Sequence, residues 1–247
     1  MIITESSLTT LIGDEIHGNS KWLEFVDGED GFFYGIPYNA RRVVKFNPVD
    51  KSLTEIGPDL GYGGAKWKCG VRANNGRIYC APFCADHILK ININDGTVET
   101  LDNVRLPETG RRLWRSGALA PDNFIYYMPA DALWIMRLNP DNDTLSRVGD
   151  YLGGGGGGGR GYIGTVVGNY DCVYGIPYYN ETPIVQFDPA NPDTTFFVGE
   201  AADEWFYCGN GLLGGDGDVY AANRYNMVKY CRLIQQAVTT PGLGIEY

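Results

Sequence analysis

The chain has 247 residues, of which 44% are hydrophobic and 20% charged, with a formal net charge of −10. This balance excludes a disordered chain, and the acidity excludes a general phosphate-binding surface, so no nucleic-acid partner is expected. No apolar run approaches the ~20 residues that span a bilayer, and MIITESSLTT lacks a basic segment leading into an apolar one. A cytoplasmic protein without membrane insertion is expected.

Taken in chain order, residues 7–13 (SLTTLIG) read as a short strand. A first strand then begins at Trp22 and ends in the turn DGEDG, a second carries Tyr34 and ends in Pro37, a third alternates through Val44-Lys45-Phe46, and SLTEIG supplies a fourth. The pattern returns from Trp67 with Tyr79, Leu89-Lys90-Ile91 and TVETLD. It returns again from Trp114 with Tyr126, Met136-Arg137-Leu138 and TLSRVG, and from Tyr162 with Tyr174, Val185-Gln186-Phe187 and TTFFVG. A fifth unit starts at Phe206 and carries Tyr220 and YNMVKYCRL, but offers only AVTTPG as a fourth strand. Alternation of period two, bounded by Gly, Pro, Asn and Asp, predicts strands and hairpins throughout. The 34 glycines and 17 tyrosines agree with an all-β chain.

Units of four short strands that recur every ~40 to 50 residues mark the blades of a β-propeller, whose faces are buried only when neighbours pack radially. The sequence predicts one domain over residues 1–247, a five-bladed β-propeller of four-stranded antiparallel blades. The blade repeats fall at 21–57, 66–102, 113–149, 161–199 and 205–236, and residues 237–247 form a C-terminal tail. Residues 7–13 supply the strand missing from the last blade and close the ring, which protects a sheet edge. Across about residues 7–236 the chain resembles β-propeller repeat proteins. In repeat length and count it is similar to the five-bladed tachylectin-type lectins, which implies carbohydrate binding between blades. Neither the WD dipeptide nor the paired glycines of kelch-like propellers recur in register.

Function is read from the loops. One face carries Asp-, Asn- and Gly-rich turns that read as turn formers. The other carries the loops after the second and fourth strands, with Arg41, Arg42, Asp86, His87, Arg111, Arg112, Asp131 and Asn180, and irregular loops on a rigid scaffold are where binding groups sit. Aligned on the repeat tyrosines, Glu24, Gly70, Gly117, Gly164 and Asn210 share one inner position. The glycines fit a crowded axis, and Glu24 and Asn210 are candidates for ligand contact.

A glycosidase needs two convergent carboxylates, and only Glu24 stands at the inner position. Cys80, Cys84 and His87 form C-x3-C-x2-H, but residues four apart on a strand lie roughly 13 Å apart, too far for shared metal ligation. The six cysteines lack a framework spacing and read as free thiols. Seven glycines at 153–159 satisfy G-x-G-x-x-G without the flanking strand and helix of a nucleotide site. No cofactor and no metal site is predicted. The sequence reading is therefore a monomeric, non-catalytic binding propeller for a protein, small-molecule or glycan ligand. A carbohydrate-binding lectin is the first alternative, favoured by the repeated aromatics Trp22, Trp67, Trp114 and Tyr162, and a glycosidase-like hydrolase is the second.

Overall fold

The computed structural model describes residues 18–152, 161–168, 171–178, 182–198, 210–222 and 227–230. These form nineteen strands in chain order. β1 (Trp22–Asp27), β2 (Phe33–Pro37), β3 (Val43–Phe46) and β4 (Leu53–Ile56) make the first sheet, and β5 (Val71–Arg72), β6 (Arg77–Cys80), β7 (Leu89–Asn92) and β8 (Val98–Thr100) the second. The third sheet holds β9 (Trp114–Leu119), β10 (Ile125–Pro129), β11 (Ile135–Asn139) and β12 (Thr144–Val148). The fourth holds β13 (Tyr162–Val167), β14 (Val173–Pro177), β15 (Ile184–Phe187) and β16 (Thr195–Val198). β17 (Leu212–Leu213), β18 (Val219–Ala222) and β19 (Met227–Tyr230) make a fifth sheet of three described strands. Every sheet is an antiparallel meander, and the architecture is all-β and propeller-like.

The turns that set this meander are built by side chains the sequence places at fixed offsets. Asp30, Asp122 and Asp216 each stand four residues before a repeat tyrosine and accept its hydroxyl, at 2.8 Å from Tyr34, 2.7 Å from Tyr126 and 2.6 Å from Tyr220. The same carboxylates accept a backbone N–H two residues on, closing the turn. One acidic residue thus fixes both the turn and the ring that anchors the second strand.

The apolar cores lie between consecutive sheets. Tyr34, Ile36 and Val43 of the first sheet pack with Ile78, Leu89 and Ile91 of the second. Tyr79 and Ala81 pack with Ile125, Tyr127 and Met136, Tyr126 and Met128 with Val173 and Phe187, and Tyr174 and Ile176 with Val219 and Ala221. In each case the face bearing one repeat tyrosine covers the residue that precedes the next tyrosine. This is the radial packing that the repeat requires, because no sheet can bury both of its faces alone.

The first sheet breaks the pattern on one side. Phe33, Phe46 and Leu53, at positions buried in later sheets, line an apolar surface with Phe25, which is 49% exposed. Residues 7–13, expected to complete the fifth blade, lie outside the described residues, as does the start of the fifth unit at Phe206.

The inner register differs from the sequence expectation at two of five positions. The strand-starting aromatics pair with the proline that ends the second strand: Trp22 with Pro37, Trp67 with Pro82, Trp114 with Pro129 and Tyr162 with Pro177. Counted from these pairs, Glu24 is matched by Cys69, Ser116 and Gly164. Gly70 and Gly117 fall one residue later and so point to the opposite side of the strand. A Cβ at Gly70 would lie 2.8 Å from Ile36, and one at Gly117 2.5 Å from Tyr127. Side-chain contact, with the neighbouring sheet at Gly70 and with the paired strand at Gly117, rather than crowding at an axis, excludes a side chain there.

Candidate functional site

All five sheets send residues to one central cavity of about 460 Å³. β1 contributes Leu23 and Glu24, the segment before β5 Lys68 and Cys69, and β9 Arg115, Ser116 and Gly117. β13 contributes Ile163 and Thr165, and the approach to β17 Asn210, Gly211 and Leu212. The convergence follows from the fold, since the first strand of every unit lies innermost and the bulky aromatic that starts it faces away into a core. Trp67 and Trp114 are fully buried, and the indoles of Trp22, Trp67 and Trp114 donate to the carbonyls of Arg42, His87 and Trp134 at 3.0, 2.8 and 3.3 Å. These rings are packing elements. The stacking surface on which the lectin alternative drew is absent at Trp67 and Trp114, and Trp22 is half-buried.

Glu24 is the one carboxylate among the described lining residues. Burial pushes its carboxyl up from 4.5 to about 6, opposed by the Gly70 N–H, which donates to Oε2 at 2.9 Å, and by the charge of Lys68. Burial also pushes the Lys68 ammonium down, with the Arg115 charge as the next cause and Cys69 and Glu24 opposing. The three charged groups therefore sense one another across the cavity. Beside them the hydroxyls of Ser116 and Thr165 lie 2.8 Å apart, joining the third sheet to the fourth. Cys69 is fully buried, and burial followed by the Glu24 charge pushes its thiol well above its ordinary value, which leaves it unreactive. A paired-carboxylate glycosidase mechanism lacks its second carboxylate among the described lining residues.

The structure brings Glu24 and Asn210 to the same cavity, as their register suggests. The remaining predicted residues stand apart from it. Arg41 is ion-paired with Asp59, and Arg42 donates to the Gly57 carbonyl. Asp86 and His87 line a separate surface cavity of about 350 Å³ with Asp102 and Arg105, the His87 ring lying 3.8 Å from Asp102. Arg111 and Arg112 are exposed on the loop before β9, and the Arg112 carbonyl accepts the Asp131 N–H at 2.7 Å. Asn180 lies outside the described residues. Sequence reasoning missed Lys68, Arg115, Ser116 and Thr165. Their signal was present: Lys68 and Arg115 each directly follow a strand-starting tryptophan, which places them beside the inner position.

No family model matches the chain, and no curated protein matches it in sequence. Solved structures do match in fold. Virginiamycin B lyase from Staphylococcus aureus, solved as a catalytically inactive variant with quinupristin, superposes with a TM-score of 0.65 at 14% identity, covering 87% of this chain and 71% of that one. Hydrazine synthase from Kuenenia stuttgartiensis gives 0.59 at 10% identity, over 87% of this chain and 59% of that one. An extracellular domain from B. thetaiotaomicron gives 0.65 at 12% identity, over 88% of this chain and 28% of that one. These likenesses establish a fold that is found in enzymes and in an extracellular domain. They overturn the expectation of a non-catalytic binding propeller, which rested on the missing second carboxylate and on loop residues that the structure places away from the central cavity. With an extracellular domain among the neighbours, the fold does not point to the cytoplasm. No described helix is long and apolar enough to cross a membrane.

Proposed function

We propose that this chain is an enzyme that works by general acid–base chemistry at Glu24, in the central cavity of a five-bladed propeller. The observation that carries the reading is a partly buried carboxyl, raised to about 6, next to a cation and inside a cavity of ligand size. A base poised near neutrality combines a useful fraction of ionised groups with useful basicity. The volume of about 460 Å³ falls within the range of ligand sites.

The reaction this arrangement suits is elimination next to a carbonyl. Ionised Glu24 takes a proton from the carbon beside the carbonyl. The electron pair moves through the enolate, whose oxygen the Lys68 ammonium stabilises, and forms a carbon–carbon double bond as the bond from the neighbouring carbon to oxygen breaks. The departing oxygen recovers the proton from Glu24. Asn210, from the segment before β17, lines the same cavity and would supply a hydrogen bond to the substrate. That one structural neighbour is a lyase supports this class of reaction over others.

A screen of cyclic esters and of carbonyl compounds with an oxygen substituent on the second carbon tests the reading. The expected result is a conjugated product, seen as new near-ultraviolet absorption, that is lost on Glu24→Gln. A hydrolysed product with no double bond, or full turnover by Glu24→Gln, overturns it.

The cavity is complete only if the ring closes. The exposed Phe25 and the half-buried Phe33, Phe46 and Leu53 occupy the face that later sheets bury against their predecessor, so the fifth blade, completed by residues 7–13, is the partner that supports closure best.

A further inference from the structure

We propose that the central cavity is an anion site whose ligand carries a carboxylate, seated on the Arg115 guanidinium with Lys68 beside it. Calling that ligand the substrate rests on the acid–base reading of Glu24; the anion site itself does not.

Charge is the first argument. The protein as a whole is strongly acidic, at −10, yet among the described residues the charged lining of this cavity is two cations against one carboxyl. Among the described residues neither Lys68 nor Arg115 forms an ion pair, whereas Lys45, Lys90, Arg41 and Arg72 are all paired. Two cations without a salt bridge in one cavity focus a positive potential that an anion would relieve.

Geometry is the second. The guanidinium of Arg115 lies 4.5 Å from the Tyr178 ring and 5.8 Å from that of Phe83, with Lys68 5.7 Å from Phe83. The two rings flank the cation, and Arg115 itself lines the cavity. A guanidinium offers its N–H donors in a fixed fork that matches a carboxylate in two parallel hydrogen bonds. The Ser116 and Thr165 hydroxyls add neutral polar groups, and Leu23, Ile163 and Leu212 give the cavity an apolar side. The ligand class is therefore a small organic carboxylate with an apolar body.

The probe is benzoate, with its uncharged isostere benzamide, titrated into the full chain at low ionic strength and followed by calorimetry. Benzoate is expected to bind at least about tenfold more tightly than benzamide and to weaken with added salt. Arg115→Met should lose on the order of tenfold in benzoate affinity, and Arg115→Lys, which keeps charge but not the fork, should fall between. Glu24→Gln should bind benzoate severalfold more tightly, because it removes the one negative group among the described lining residues. Thermal melts identify any variant that fails to fold, in which case Arg115→Lys and the benzoate–benzamide ratio of the unaltered chain decide. Equal binding of benzoate and benzamide, no benzoate binding, or unchanged affinity in a folded Arg115→Met overturns the proposal. Carboxylate binding without elimination activity sinks the acid–base reading alone, and elimination that benzoate does not inhibit sinks the anion site alone.

Discussion

Glu24 ties stability to pH in a direction opposite to that of most carboxylates. Its folded value of about 6 lies above the ordinary 4.5, so the folded state holds the proton more tightly. The stabilisation is fully present below about pH 4.5 and is lost as pH rises through 6, amounting to about 2 kcal/mol at most. Glu24→Gln should therefore abolish that loss and leave the protein more stable than the parent at pH 7 by about 1–2 kcal/mol, measured by urea denaturation across pH. Activity should move the other way, rising in the parent with an apparent value near 6 and vanishing in the variant. Lys66 shows the contrasting case of a buried cation held for structure. Its ammonium donates to the carbonyls of Ala40 and Gly61 at 2.8 Å and of Gly63 at 3.2 Å, fixing the link between the first two sheets. Lys66→Met should cost about 1–3 kcal/mol of stability, because shielded acceptors lose their donor. Only the first of these two residues was legible in the sequence. An acidic side chain at an inner strand position stands out against small neighbours, whereas a lysine in a loop looks like any solvated cation until its three acceptors are brought together by chain segments far apart.

Among the elements, the second strand of the first, third and fifth units is fixed by the acidic residue four positions before its tyrosine. In the third sheet Asp122 accepts both the Tyr126 hydroxyl and the Phe124 N–H. Asp122→Ala should cost about 1–2 kcal/mol, and a double-mutant cycle with Tyr126→Phe should return a coupling of about 1 kcal/mol. The strands themselves were readable because alternation and turn chemistry are local. The first strand was the least readable, and the error there has a physical source. The intervals from Trp22 to Tyr34, Trp67 to Tyr79, Trp114 to Tyr126 and Tyr162 to Tyr174 are all 12 residues, but glycine attracts attention as an axis-filling residue. Glycine is placed instead by close side-chain contact, with Ile36 of the neighbouring sheet at Gly70 and with the paired Tyr127 at Gly117. That one-residue slip hid Ser116 and, with it, the register irregularity between Trp114 and Ser116 at which Arg115 sits.

For the whole molecule, the exposed phenylalanine face makes closure measurable. Phe33 and Phe46 lie with ring centroids 6.4 Å apart on a surface that has no covering sheet among the described residues. If the fifth blade seats on them, Phe46→Ala should cost about 2–4 kcal/mol, as core truncations do. Deletion of residues 1–13 should lower stability by a comparable amount and increase binding of a hydrophobic dye. Near-zero cost for both would show that the ring stays open on this side. The all-β architecture of four-stranded antiparallel sheets was legible from sequence because it follows from periodicity. The cavity was not, since its charged groups come from three different units and acquire meaning only when the innermost strands converge.

The placement of every core between two successive sheets also bears on how such a chain arises. Each unit carries a tyrosine-bearing face and a face that receives the preceding tyrosine, so each unit is complementary to a copy of itself. Tandem duplication of the gene segment for one unit would therefore bring both halves of a working interface at once. The number of units can drift without redesign of any single core, and only the innermost residues, freed from that packing constraint, are left to diverge into a site.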